Sequence, residues 1–217
     1  MYQPPHHRET RPEVMHDLIR THPLGLLVSN GPEGPVADLL PFLLDAGEGP
    51  HGRLRAHLSK ANAHWGLLEA QSRLTVLAVF RGADTYITPS WYETKRETGK
   101  VVPTWNYAIV QARGTARVIH DRDWLAGQIA ELTALHEGGR DEPWHVTDAP
   151  EKFVEAQIKG IVGLEIAITD LQGKWKVSQN RPAADRAGVV AGLEARGDTA
   201  DASMADMVRA FGNTGGT

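Results

Sequence analysis

The sequence predicts a mainly β protein, in which an antiparallel barrel carries helices on its outside. About seven segments have the composition of strands, and most are joined by short turns that contain Gly, Pro, Asn or Asp. The helical patterns lie at the two ends of the chain or between late strands. This distribution differs from the regular alternation of strands and helices in a βαβ protein, and it favours a closed antiparallel sheet.

The first elements are a helix, two strands around a turn, a third strand and a second helix. Thr10 is positioned to cap the first helix, and His22-Pro23 ends it, because a residue before proline disfavours the helical conformation. The elements that follow are a strand at 24–29, a turn at 30–34, a strand at 36–44, a strand at 53–58 and a helix at 62–70.

The later elements are mainly long strands and helices. We predict strands at 74–80 and 85–88 around a turn at 82–84, then a loop at 89–100 and a strand at 101–119 with Gly114 as a candidate bulge. Helices at 121–135 and 151–157 follow, and then strands at 161–171 and 173–177. The chain closes with helices at 182–193 and 202–210 and a frayed end at 213–217. No second domain boundary is visible. We therefore expect one domain over residues 1–217, with helical additions near 121–158 and 182–211.

The composition is that of a globular protein and argues against secreted, disulfide-bonded and membrane-spanning classes. The 217 residues are 41% hydrophobic and 23% charged, as in an ordinary globular domain. The chain contains no cysteine, which excludes disulfides and thiolate chemistry and fits a reducing compartment. Met1–Pro12 lacks the apolar core of a secretory signal, and no apolar run approaches the roughly 20 residues that span a bilayer. We expect a cytoplasmic protein without membrane contact.

The segment around residues 53–65 has the residue types of an anion site. Arg53, Arg55 and His57 alternate along a predicted strand, so they point the same way. Ser59, Lys60 and Asn62 then stand where the next helix begins, and free N–H groups at a helix start attract a phosphate. A solvated strand edge followed by a capped helix is the open alternative.

Two further segments suit a planar ligand. Tyr86–Tyr92 and Lys100–Tyr107 hold five of the ten Trp and Tyr residues, mixed with Thr, Ser and Asn, which can stack on a heterocycle and satisfy its edges. Lys174–Pro182 places two Lys and one Arg at a strand-to-helix junction beside Ser, Gln and Asn. The open alternatives are an aromatic cluster that only packs and a charged connector.

Several other site types are absent from the sequence. It contains no HExxH, no P-loop, no GxGxxG after a strand and no nucleophile elbow. The ten histidines are scattered without metal-ligand spacing, so no metal site is predicted. The net charge of −4 and the lack of a basic recognition helix do not support DNA binding, which stays open only through a local basic patch. No catalytic residue can be assigned.

Taken together, these segments resemble the PaiB family. The resemblance rests on Met1–Pro4, Arg55–Trp65, Tyr86–Tyr92, Val102–Tyr107 and Lys174–Pro182, which occur in the expected order over nearly the whole chain. It implies an FMN-binding split barrel, a homodimer with flavin sites at the subunit interface, and negative regulation of transcription. One departure is His7, where the family usually has Phe.

The resemblance also implies roles for individual residues. Arg55, Ser59, Lys60 and Asn62 would hold the phosphate, with Lys176 and Gln179 closing the site. Trp105 and Asn106 would approach the flavin ring from the partner subunit, and Tyr86, Ser90 and Trp91 would wall the pocket. The expected cofactor-binding set is Arg55, His57, Ser59, Lys60, Asn62, Tyr86, Ser90, Trp91, Trp105, Asn106, Lys176 and Gln179.

Two other functions stay open on the same fold. A flavin reductase, a pyridoxamine-phosphate-oxidase-like enzyme or a haem-handling protein would need an acid or base beside the flavin, for which His57 and His64 are candidates. A dimeric interaction module that has lost its cofactor is the other alternative.

Overall fold

A computed structural model describes residues 1–71 and 74–212. Within those residues, eight strands form one antiparallel sheet. They are β1 Arg8–Glu9, β2 Leu24–Gly31, β3 Gly34–Pro41, β4 Leu43–Asp45, β5 Arg53–Ser59, β6 Thr75–Ile87, β7 Thr104–Ile119 and β8 Ile161–Lys176. Their order in the sheet is β3-β2-β6-β7-β8-β5-β4, and β1 pairs with β8.

Seven α-helices accompany this sheet in the described residues. They are α1 Pro12–Thr21, α2 His64–Ala70, α3 Glu93–Thr98, α4 Arg122–Glu137, α5 Glu151–Lys159, α6 Ala183–Arg196 and α7 Thr199–Phe211. The helices are peripheral to the sheet, so the predicted mainly β class is confirmed.

The chain divides into two compact units, to both of which β6, β7 and β8 contribute residues. The first unit comprises Met1–Leu18, Phe80–Gln111 and the described residues from Gln172 onward. Its buried side chains come from α1, from the long strands and from α6 and α7; among them are Met15, Leu18, Phe80, Ile87, Val110, Trp175, Val189, Leu193, Met204 and Val208.

The second unit comprises Ile19–Val79 and Ala112–Leu171. Its core is formed by alternate residues of β2, β5, β6 and β8 together with residues of α2 and α4; among them are Leu27, Leu54, Leu58, Leu68, Val76, Leu125, Leu164 and Ile166. The pairing of β5 with β8 matches Ser59 to Ile161 and Arg53 to Ala167. This register places Ser59 at the last paired position of β5.

Local signals in the sequence set several helix boundaries. Helix α1 ends before His22-Pro23, as predicted, and Pro12 is its first residue, so the residue that precedes it is Arg11 and not the predicted cap Thr10. The Asp121 carboxylate accepts the Trp124 N–H at 2.6 Å and so caps α4. The first N–H groups of a helix have no partner within the helix. Pro12 lacks an N–H group, and Asp121 accepts one at the start of α4.

Three local predictions were wrong. The turn at 82–84 does not form, since β6 is continuous from Thr75 to Ile87. Gly82 instead permits close packing, because a Cβ there would lie 3.1 Å from Leu18 Cδ1. Strand β8 likewise continues through Gly173. The predicted loop at 89–100 contains a 3₁₀ turn at Pro89–Trp91 and the helix α3.

Two other predictions concern Gly114 and the chain end. Gly114 lies inside β7, where a Cβ would come within 2.3 Å of the Ala167 carbonyl oxygen. Glycine is therefore required there by the approach of the neighbouring strand. The predicted fraying at 213–217 lies outside the described residues.

Candidate functional site

In the second unit, Ser59, Lys60 and Asn62 form a polar corner between β5 and α2. The Lys60 N–H donates to the Gly160 carbonyl at 2.8 Å, and its ammonium group donates to the Lys159 carbonyl at 2.8 Å. An ammonium group has three donors, so this contact orients Lys60 and leaves capacity for a ligand. Ser59 and Lys60 are exposed. Asn62 Oδ1 accepts the His64 N–H at 2.8 Å, and its amide nitrogen remains a donor.

Arg55, the fourth residue predicted to hold the phosphate, and His57, another member of the predicted cofactor set, are engaged within their own unit. Arg55 donates to both carboxylate oxygens of Asp45, each at 2.7 Å, and to Glu131 at 2.7 Å. These acceptors raise the pKa of the guanidinium and compensate its charge. His57 Nδ1 lies 2.8 Å from Gln128 Oε1. Arg55 keeps further N–H donors, but its charge is compensated, so the uncompensated charge at the β5–α2 corner is that of Lys60, beside Ser59 and Asn62.

The same unit contains a groove of about 520 Å³ that the sequence did not reveal. It is lined by Arg53, Leu68, Glu69, Thr115, Ala116, Arg117, Val118, Glu165 and Ala167. Small-molecule sites commonly have volumes of about 300–1,000 Å³. Arg117 and Glu165 were missed because they belong to different strands, and only the sheet brings them together.

Glu165 is the acidic centre of this groove. It accepts hydrogen bonds from Arg117 and, at 3.1 Å, from Trp124 Nε1, and it lies 3.6 Å from Arg53. Burial opposes its ionisation, but the hydrogen bonds from Arg117 and Trp124 outweigh burial and hold its pKa below the ordinary 4.5. The groove therefore presents an ionised carboxylate between two cations.

A buried polar chain links β2, β3 and α2. Ser29 Oγ lies 2.6 Å from His64 Nε2, and His64 Nδ1 lies 2.7 Å from Asp38 Oδ2. Hydroxyl, imidazole and carboxylate in this order resemble the constellation of a serine nucleophile. Ser29 is only 3% exposed, so its hydroxyl is closed to a substrate. We interpret the chain as a structural connection that satisfies His64 in the core.

In the first unit, Tyr86 and Trp105 form an exposed aromatic pair. Their ring centroids are 6.2 Å apart with an interplanar angle of 72°, and they are 42% and 53% exposed. Lys176 donates to the Trp105 carbonyl at 2.8 Å and to Thr104 Oγ1, which holds the start of β7 in place. The pair offers aromatic surface for stacking or for an interface.

Asn106 and Gln179 of the predicted set are buried in the same unit. Asn106 Nδ2 donates to Ser178 Oγ at 2.9 Å. Gln179 uses its amide inside its own turn, where its oxygen accepts the Val177 N–H at 2.8 Å and its nitrogen donates to the Trp175 carbonyl. Gln179 therefore shapes the turn from within.

The structure places Ser90 and Trp91 against other elements of the first unit. Ser90 is exposed and accepts a hydrogen bond from Lys95 Nζ at 3.1 Å. The Trp91 ring packs on α6, where a Cβ at Gly192 would lie 2.3 Å from it. The Arg196 guanidinium lies 5.2 Å from the centroid of the same ring.

The predicted cofactor set is thus divided between the units. Arg55, His57, Ser59, Lys60 and Asn62 belong to the second unit, and the other seven residues belong to the first. Across residues 1–71 and 74–212, no group of three or more His, Cys, Asp or Glu side chains is arranged to hold a metal ion. In the same part of the chain, no helix has the length and apolar character needed to cross a membrane.

Comparison with protein families and curated sequences gives consistent matches. A family model described as "Putative FMN-binding domain" matches residues 1–170. An uncharacterized protein of Emericella nidulans is 38% identical over 98% of each chain. The protease synthase and sporulation protein PAI 2 of Bacillus subtilis is 30% identical over 96% of each chain.

Solved structures share the fold at low sequence identity. The FAD and heme binding protein of Mycobacterium smegmatis superposes with a TM-score of 0.57 at 19% identity, over 78% of this chain and 73% of that one. The flavocytochrome Anf3 of Azotobacter vinelandii gives 0.55 at 17% identity, over 77% and 68%. These similarities confirm the predicted split-barrel fold.

Proposed function

The chain belongs to the family of FMN-binding domains, and from this premise we propose that it is an FMN-binding regulatory protein that holds the flavin phosphate at the β5–α2 corner. The observation that carries the proposal is the exposed Lys60 ammonium, oriented by the Lys159 carbonyl beside Ser59 and Asn62. Across residues 1–71 and 74–212, no carboxylate forms an ion pair with Lys60.

The donor set at this corner fits a phosphate group. A lysine ammonium, a serine hydroxyl and an amide NH₂ donate hydrogen bonds to anionic oxygens, and charge-assisted bonds are about twice as strong as neutral ones. Bound FMN would supply reversible electron and hydride acceptance. Arg55 and His57 support this set indirectly, because their contacts with Asp45, Glu131 and Gln128 hold β5 in place.

We further propose that two copies of the chain complete the flavin site. The exposed Tyr86 and Trp105, with Val102 at 65% exposure, form apolar surface of the kind that marks interfaces. A partner's Trp105 and Asn106 would approach the flavin ring, with β7 at the contact, and the partner's Lys176 and Gln179 would support that segment. Tyr86, Ser90 and Trp91 belong to the same unit as Trp105, and the partner's copies of these residues are assigned to the wall of the site.

The regulatory part of the proposal follows from the family. The Bacillus subtilis relative is named as a protease synthase and sporulation protein. The resemblance to the PaiB family implies negative regulation of transcription, and we propose that role here. Direct reading of DNA is not part of the proposal. The net charge is −4, and the α6 cations Arg186 and Arg196 are bound to the Arg181 carbonyl and to Asp201. The cysteine-free composition fits a cytoplasmic location.

The FMN site is tested by fluorescence titration of the flavin. We expect Lys60→Ala to weaken FMN binding by about tenfold or more, since loss of one hydrogen bond to a charged group costs about 1.5–3 kcal/mol. Tyr92→Phe is the control, because Tyr92 is 1% exposed and does not belong to the assigned flavin set, and it should leave the affinity nearly unchanged. Circular dichroism checks that both variants fold.

Two outcomes of the titration would contradict the proposed FMN site. Equal affinity in the wild type and Lys60→Ala would remove Lys60 from the site, and a colourless protein that ignores added FMN would remove the flavin. The same purified protein is assayed for NAD(P)H oxidation. Turnover with bound FMN would replace the regulatory function with that of a flavin oxidoreductase.

A further inference from the structure

Three cations of the first unit, Lys174, Lys176 and Arg181, form no ion pair with any carboxylate that the structure describes. Most arginines in the described part of the chain pair with carboxylates, as Arg11 does with Glu9 and Arg196 with Asp201. Across residues 1–71 and 74–212, none of these three forms such a pair. Their positive charge is therefore uncompensated within the described residues.

Lys176 is near both Lys174 and Arg181, and all three cations are partly withdrawn from water. Lys174 is 8% exposed, and its ammonium lies 5.3 Å from the centroid of the Tyr107 ring. Lys176 Nζ lies 5.9 Å from the same ring. Burial lowers the pKa of Lys176, and the charges of Lys174 and Arg181 lower it further, although Tyr107 opposes them.

Contacts with aromatic rings do not fully offset the free-energy cost of withdrawing these cations from water. Cation–π contacts contribute about 0.5–2 kcal/mol each, whereas withdrawing a charge from water costs considerably more unless it gains a counter-charge. The Arg181 guanidinium lies 4.6 Å from the Tyr92 ring centroid and likewise lacks a carboxylate among the described residues. An anion would supply the missing counter-charge.

A recess of about 130 Å³ opens at this cluster, and its polar lining side chains are hydrogen-bond donors with no carboxylate among them. It is lined by Val102, Thr104, Asn106, Lys176, Ser178, Asn180 and Arg181. The volume equals roughly the share of four waters in the liquid, enough for one oxyanion. Ser178 has φ +65°, an uncommon conformation for a residue other than glycine. Its hydroxyl is hydrogen-bonded to the buried Asn106.

We propose that this recess, the oxyanion pocket, binds the carboxylate or phosphate group of a small-molecule second ligand. Lys176 and Arg181 would supply the charge, and Lys174, which contacts the same Tyr107 ring as Lys176, would strengthen it from outside the recess. The hydroxyl and amide groups would complete the hydrogen bonds. Since Lys176 and Asn106 also belong to the predicted flavin set, the inference rests on the proposed function in that part. Lys174 and Arg181 belong to the oxyanion pocket alone.

The test uses inorganic phosphate on the FMN-saturated full-length protein. Thermal unfolding is followed as phosphate replaces chloride at constant ionic strength, because a ligand that binds only the folded state raises Tm with its concentration. We expect Lys174→Met and Arg181→Met to raise the apparent phosphate Kd at least tenfold, and Arg181→Lys to restore part of the affinity. A parallel titration with acetate decides between phosphate and carboxylate.

The control variant is Arg209→Gln, which removes an exposed cation of the same unit that is paired with Glu194 and Asp206. It should keep the wild-type phosphate response. All four variants should bind FMN with wild-type affinity, and circular dichroism establishes that each is folded.

The outcomes separate this inference from the proposed function. A phosphate response that is absent, or equal in the wild type, Lys174→Met and Arg181→Met, overturns the oxyanion pocket while FMN binding stands. Phosphate that displaces FMN also overturns it, since the pocket would then belong to the flavin phosphate. A phosphate response that depends on Arg181 in a protein without FMN affinity supports the pocket and overturns the proposed function.

Discussion

At the scale of single residues, His7 is a buried group whose ionisation opposes folding. It is 6% exposed, and its Nδ1 has no hydrogen-bond partner within the described residues. Burial lowers its pKa from 6.5 to about 4, and the neighbouring charges of His6, Lys174 and Lys176 add to this, while Gln179 opposes it. The imidazole is therefore neutral in the folded protein at neutral pH.

The sign of the pH effect follows from that lowered pKa. As the pH falls below 6.5, the unfolded chain takes up a proton at His7 before the folded chain does, so stability is lost between pH 6.5 and about 4. We therefore test His7→Phe, which introduces the residue usual in the family. The difference in free energy of unfolding between this variant and the wild type should be about 1–2 kcal/mol more favourable to the variant at pH 5 than at pH 8. Urea denaturation at the two pH values measures the difference.

His136→Gln provides the comparison for this experiment. His136 is exposed on α4, so its replacement should change neither the stability nor its pH dependence. An identical acid sensitivity in the wild type and His7→Phe would show that His7 does not contribute to it.

At the scale of elements, the contact between Trp91 and α6 depends on two small residues. A Cβ at Gly188 would lie 1.9 Å from the Trp91 carbonyl oxygen, and one at Gly192 would lie 2.3 Å from the Trp91 ring. Glycine in a helix interior costs about 0.5–1 kcal/mol relative to alanine. The close packing of the 3₁₀ turn on α6 thus outweighs helix propensity at these positions.

Two glycine-to-alanine substitutions, one at this contact and one in an open helix position, test whether packing outweighs helix propensity. Gly192→Ala should lower the free energy of unfolding by about 1–3 kcal/mol, because the added methyl displaces the Trp91 ring. Gly127→Ala, in α4, meets nothing within 4 Å and should stabilise the protein by up to about 1 kcal/mol. Chemical denaturation with tryptophan fluorescence measures both changes. A Gly192→Ala variant as stable as Gly127→Ala would contradict the contact.

Elements also show where sequence patterns were sufficient and where they failed. Helix α4 was predicted because Asp121 supplies a cap that acts within one turn. The turn at Gly82 was wrong because glycine signals both a turn and a close approach, and only the packing of Leu18 and Ala108 distinguishes them. Helix α3 was missed because its polar sequence carries no apolar periodicity.

At the scale of the whole molecule, the proposed dimer is tested through its exposed tryptophans. The subunit mass is 23.7 kDa, and light scattering should give twice that value for the wild type. Trp105→Ser should raise the dimer dissociation constant by roughly 30-fold, since central interface aromatics commonly contribute 2 kcal/mol or more. Trp105 is 53% exposed, so the subunit fold should survive its replacement.

Trp144→Ser is the matched control, because Trp144 is 47% exposed and belongs to the other unit. It should leave both the dimer and FMN binding unchanged. A wild-type protein that scatters as a monomer at every concentration would contradict the dimer, and so would equal dissociation constants for the two variants.

The sequence by itself determined the mainly β class, most helix starts and the residue types of the candidate sites, because periodicity, caps and donor chemistry are local properties. Only the tertiary structure decided which cations are free to meet a ligand. Arg55 is compensated by Glu131, which lies 76 positions away in the chain, whereas Lys174, Lys176 and Arg181 gather around Tyr92 and Tyr107 without a described carboxylate. The physical reason is that ion pairing acts over a few ångströms in space, and the pairing of distant strands sets those distances.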